Sequence, residues 1–224
     1  MNKYFLTLMF LGFTVLGMAQ DDVASRKAMF GVLGGLNLSS MTNAEDGDDF
    51  STRVGLRAGA FVKFDLNNSL YLNLKAIYSM QGNKFTTQVS EFDDSQVEVV
   101  TYDVDGVLKM DYIEVPLTLE YKLNRFSFEL GPQIGFNILA ETELEGDGYD
   151  VTAPIDNEQS VVVGGVIGVN GYITDKFYAS VTYERGFSDL YKGVRYNFGE
   201  YGTATVESDY KYSLFSLSLN YIIF

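Results

Sequence analysis

Apolar and polar residues alternate with a period of two along most of the chain beyond its first twenty positions. In 53–66, Val54, Leu56, Ala58, Ala60, Val62, Phe64 and Leu66 form one row, and Arg53, Gly55, Arg57, Gly59, Phe61, Lys63 and Asp65 form the other. That period places the two rows on opposite faces of a β-strand. Seven more runs follow it: 29–39, 70–82, 109–123, 125–140, 160–173, 177–188 and 211–224. The run 160–173 is the least regular, because Val162 and Val166 share a row with Gly164, Gly168 and Asn170. Soluble strands usually run to about 5–6 residues, whereas a tilted strand needs about 9–11 to cross a bilayer. All eight runs reach the second length.

The connections alternate as well. Asn67-Asn68-Ser69, Asn124 and Thr174-Asp175-Lys176 make short turns, while 40–52, 83–108, 141–159 and 189–210 read as long loops. Short periplasmic turns and long extracellular loops are the habit of outer-membrane barrels. An even strand number leaves both termini on the short-turn side. In hydrocarbon no backbone N–H or C=O goes unpaired, so the first and last strands must meet. The expected fold is all-β, an eight-stranded antiparallel up-and-down transmembrane β-barrel spanning 29–224.

A soluble lipocalin-type barrel shows the same alternation with the faces reversed. Three features favour the membrane orientation. The polar row is rich in Gly, Ser, Asn and Thr, which suits a cramped interior. The apolar row is bulky on nearly every strand. Aromatics also gather near strand ends: Phe64, Tyr121, Phe126 and Phe177 by the turns, and Tyr78, Phe136, Tyr183 and Phe215 towards the loops. Bilayer interfaces select such belts.

The first residues, MNKYFLTLMFLGFTVLGMA, place one Lys before an apolar run and small residues after it. This is the pattern of a secretory signal peptide, expected over 1–19 with cleavage near Ala19-Gln20. A short periplasmic segment, 20–28, would follow, and the mature protein would sit in a Gram-negative outer membrane. Composition removes several classes of chemistry. The 224 residues contain no Cys and no His, so thiol nucleophiles, Cys- or His-ligated metals and His-based triads are excluded. A formal charge of −14 argues against nucleic acid. No catalytic residue, cofactor or metal site is expected.

The row opposite the apolar one carries Arg57, Lys63, Lys75, Glu114, Glu120, Lys122, Glu129 and Glu184. Eight strands enclose a lumen just wide enough for side chains. Charges there must meet partners or water. They form either an interlocked plug or a charged permeation path, and the narrow lumen favours the plug. The long loops hold most of the 30 acidic residues, with Lys84, Lys192 and Arg195 as their basic ones. Runs such as Glu45-Asp46-Gly47-Asp48-Asp49 lack the spacing of a calcium loop, and read as solvated acidic surface open to a protein partner.

The stretch Asp111-Tyr112-Ile113-Glu114-Val115-Pro116-Leu117 resembles a "YLEIPL" segment in PorT-type outer-membrane β-barrels of the Bacteroidetes. The Gly-rich first strand from Phe30 to Asn37, and Gly131-Pro132, fit the same family. The resemblance implies a small barrel in the outer membrane, in contact with its lipid and lipopolysaccharide. The aromatic terminus, Phe224, fits the signal read by the barrel assembly machinery, although it lies one residue out of register with Tyr221 and Ile223. The expected function is a non-enzymatic structural or surface-interaction barrel. A small-solute porin-like channel and an accessory barrel of protein secretion are the alternatives.

Overall fold

In the computed structural model, described for residues 28–43, 51–92, 99–146, 149–154, 161–188, 194–197, 203–206 and 210–224, antiparallel pairing carries the chain around a ring. The strands are β1 (Ala28–Asn43), β2 (Ser51–Asn67), β3 (Leu70–Phe92), β4 (Val99–Leu123), β5 (Phe126–Gly146), β6 (Tyr149–Pro154), β7 (Val161–Tyr172), β8 (Phe177–Gly186), β9 (Val194–Asn197), β10 (Thr203–Val206) and β11 (Tyr210–Ile222). Each of β1 to β5 pairs with the next, β5 pairs with β7, β7 with β8, β8 with β11, and β11 returns to β1. Eight of the described strands therefore close the ring. The expected signal peptide and the segment up to residue 27 lie outside the described residues.

Closure is completed at the turn end by Phe30, whose N–H donates to the Phe224 carbonyl at 2.8 Å, while the Ile223 N–H donates to the Phe30 carbonyl. β11 ends at Ile222, so Phe224 escapes the alternation and packs its ring, tilted, 5.3 Å from that of Phe30 on the outer wall. The two-residue turn Asn124-Arg125 holds Asn124 at φ 57°, a left-handed conformation that asparagine tolerates better than most residues.

The faces are those of a membrane barrel. Leu56, Leu130, Ile167, Leu217 and their row point outward and are exposed, while the polar row is buried inside. The irregular run over β7 follows the same rule, with Val162 and Val166 inside. Two apolar clusters share the interior with the polar groups. Met110, Tyr112, Val162, Tyr212 and Leu214 form one, and Leu33, Phe61, Ile77, Tyr178 and Ile222 the other.

All four expected loops are partly strand, 40–52 at its two ends, where β1 runs to Asn43 and β2 begins at Ser51. β3 and β4 continue as a hairpin from Asn83↔Leu108 to Phe92↔Val99, within the stretch read as the loop 83–108. β5 runs on through Gly146 and pairs with β6, and β9 pairs with β10. Residues such as Val89, Val99, Val100 and Tyr102 favour extended backbone. Glu141-Thr142-Glu143-Leu144-Glu145 itself alternates. β3 bends at Gly82, where φ is 143° and an added Cβ would lie 1.8 Å from the Leu108 carbonyl oxygen. A bulge at Asp111/Tyr112 shifts β5 so that Ile138 and Leu139 both face outward.

Candidate functional site

The inward row packs its charges into two groups. In the first, β2 supplies Arg57, β4 Glu114 and β8 Glu184. The guanidinium lies 2.8 Å from Glu184 and 3.6 Å from Glu114, so one cation bridges two carboxylates. Neutral donors complete the group. Gln133 Nε2 donates to Glu184 at 2.9 Å and Thr182 Oγ1 at 3.2 Å. Gln81 Nε2 donates to Glu114 at 2.5 Å. The chain of contacts continues through Ser79, whose hydroxyl accepts from Asn37 at 2.9 Å.

The second group holds Lys63 and Lys75 with Glu120 and Glu129. Lys63 Nζ lies 2.8 Å from Glu120 and donates to the Tyr172 hydroxyl, also at 2.8 Å. Tyr172 in turn donates to Glu120 at 2.7 Å, and Ser127 does so at 2.6 Å. Lys75 Nζ meets both Glu129 oxygens, at 2.7 and 2.9 Å. Asn73 links the two pairs, donating to Glu120 at 2.6 Å and Glu129 at 3.5 Å. Lys63 also sits 4.7 Å above the Tyr178 ring, which ties this group to an apolar cluster. A buried charge must be paired and hydrogen-bonded to be tolerated, and all seven of these charges have a partner.

Lys122 does not join them. It stands one residue from the end of β4, and its ammonium rests 4.2 Å over the Tyr172 ring rather than on a carboxylate. The inward row ends at the rim there, and its side chain reaches water. The partners also differ from those that adjacency suggests. Lys75 passes over Glu114 and Glu120 on neighbouring β4 and takes Glu129 on β5. Arg57 reaches across the lumen from β2 to β8.

Sequence reasoning missed the neutral members. Tyr172 and Tyr212 count as apolar in an alternation pattern, yet their hydroxyls bond Glu120 and Gln133. Arg53, buried at the loop end, donates to the Gln81 carbonyl. Among the described residues, packed side chains line the lumen. A void of about 10 Å³, lined by Ser39, Gln81, Gly82, Met110, Tyr112 and Tyr212, is scarcely one water in size.

A family model described as "Outer membrane protein beta-barrel domain" matches residues 18–192. Among solved structures, Neisserial surface protein A aligns over 87% of this chain and 98% of its own, with a TM-score of 0.51 and 13% identity. The attachment invasion locus protein Ail of Yersinia pestis covers 88% of this chain and 99% of its own, at TM-score 0.43 and 13% identity. The outer membrane protease OmpT of Escherichia coli covers 90% and 99%, at TM-score 0.38 and 12% identity. At these identities the likeness concerns fold alone. No curated protein matches the sequence.

Proposed function

The chain belongs to the outer membrane protein beta-barrel domain family and lies in the outer membrane, and on that footing we propose that it is a non-enzymatic barrel, closed to solutes, that acts through its extracellular segments. The observation that carries this reading is the lumen. Arg57, Lys63 and Lys75 are each buried against glutamates, and between the two apolar clusters little space is left for a permeant solute. The same pairing engages the inward carboxylates that acid–base chemistry would need, and the chain has no His or Cys to replace them. Acidic stretches at the loop end, against Lys109 as a local counter-charge, suit a protein partner or cations held by lipopolysaccharide.

Planar-bilayer recording of the refolded protein tests the reading. A closed barrel gives a silent membrane. Stepwise conductance that changes selectivity when Lys75 is replaced would return the porin-like channel instead.

The PorT-type stretch from Asp111 to Leu117 supports a second reading, an accessory barrel of protein secretion. Deleting the gene and scoring cargo in the medium against envelope integrity separates the two. Lost cargo with an intact envelope favours the secretion role.

A further inference from the structure

Along three adjacent strands the outward row turns from apolar to polar towards the loops, with Phe187 exposed again just past the end of β8. Leu38, Phe215 and Tyr183 lie side by side on β1, β11 and β8, paired in register, with Ile167 of β7 beyond them. The Tyr183 and Phe215 rings are 4.7 Å apart. Two residues nearer the loops, the same outward rows read Ser40, Ser213 and Arg185, again paired across the strands. One further step along β11 brings Lys211. The parity is fixed by buried neighbours: Tyr212, Leu214 and Glu184 point inward, so Lys211, Ser213 and Arg185 point outward.

A cation on the lipid-facing wall is costly at mid-membrane and tolerated at the boundary. From Phe177 near the turn to Arg185 is eight residues of β8, about 20 Å along the membrane normal for a strand tilted near 40°. From Tyr221 to Lys211 is ten residues of β11, about 25 Å. The two cations therefore stand towards the extracellular end of the wall, with Phe187 and Val163 exposed beyond Arg185. Lys109, at the same end, already contacts Glu141 and Glu143. Neither Arg185 nor Lys211 has a carboxylate partner among the described residues. At headgroup depth in the outer leaflet, lipid phosphate is an available counter-charge for both.

We propose that Arg185 and Lys211, with the hydroxyls of Ser40 and Ser213, bind a phosphate on the lipid A headgroup of lipopolysaccharide. A guanidinium offers a planar fork that matches phosphate oxygens, an ammonium adds a point charge, and the serine hydroxyls donate to phosphate or sugar oxygens. The aromatic row below meets the acyl chains. This goes beyond the closed-barrel reading, since the site lies on the outer wall and is indifferent to what fills the lumen.

The test uses the full-length folded protein in detergent, titrated with diphosphoryl lipid A and followed by native mass spectrometry. Dephosphorylated lipid A, phosphatidylglycerol and inorganic phosphate serve as comparison probes. Lipid A should bind wild-type protein well above all three. R185Q/K211Q should lose about thirtyfold in affinity, two cations at an anionic surface being worth roughly that much. K109Q, whose cation already has carboxylates, should bind as wild type. Heat-modifiable migration verifies that each variant folds, and the comparison among probes on unaltered protein stands if one does not. Equal binding of dephosphorylated lipid A, equal binding of phosphatidylglycerol or phosphate, or an unchanged R185Q/K211Q would each overturn the proposal. A conducting barrel in the bilayer recording would leave it untouched.

Discussion

Lys75 on β3 and Glu129 on β5 grip each other with β4 between them, the ammonium lying within 3 Å of both carboxylate oxygens. Pairs that skip a strand in this way tie the wall together across its curvature, beyond what the ladder of backbone hydrogen bonds does between neighbours.

Removing one member of such a pair strands the other in a poorly solvated place. Lys75→Ala should lower unfolding stability by about 3 kcal/mol. The shift is read as the urea midpoint in detergent. The double replacement Lys75→Met with Glu129→Leu should recover most of the loss, because it removes both charges at once. A midpoint unmoved by Lys75→Ala would mean that water already reaches the pair.

Arg57 is asked to serve two carboxylates on different strands. A lysine has no planar fork and reaches one of them at a time. Arg57→Lys should therefore cost about 2 kcal/mol although charge is kept. Equal stability of the two forms would show that the Glu114 contact contributes nothing.

Phe224 seals the join of the ring, through its carbonyl to Phe30 and its ring on the Phe30 ring. Phe224→Ala keeps the backbone bond and loses the ring contact, about 1 kcal/mol of stability. Assembly into vesicles carrying the barrel assembly machinery should slow more than spontaneous refolding in detergent. Equal slowing of both would assign Phe224 to packing alone.

Much of this architecture is written in the alternation, because a membrane wall demands a strict division between lipid row and lumen row. Arg57, Lys75, Glu129 and even Val162 fall on the faces their parity predicts. Past the membrane that demand ends, and so does the signal. The β3–β4 hairpin beyond Gly82 and the β5–β6 pairing look like loop because neither face has to be greasy. Partner choice within the lumen is likewise hidden. It depends on which side chains meet across the barrel's width, and strand order alone places Lys75 nearer to Glu114 and Glu120 than to Glu129. Lys122 shares the row but lies at its rim, where parity no longer implies burial.

The upward run of β3 and β4 continues the paired wall beyond Gly82. From Gly82 to Phe92 the hairpin adds ten residues, about 25 Å of height after tilt, and β5 and β6 widen its base, whereas β8 stops at Gly186. That length of paired backbone lifts the hairpin past the headgroup layer, within reach of molecules that never touch the lipid.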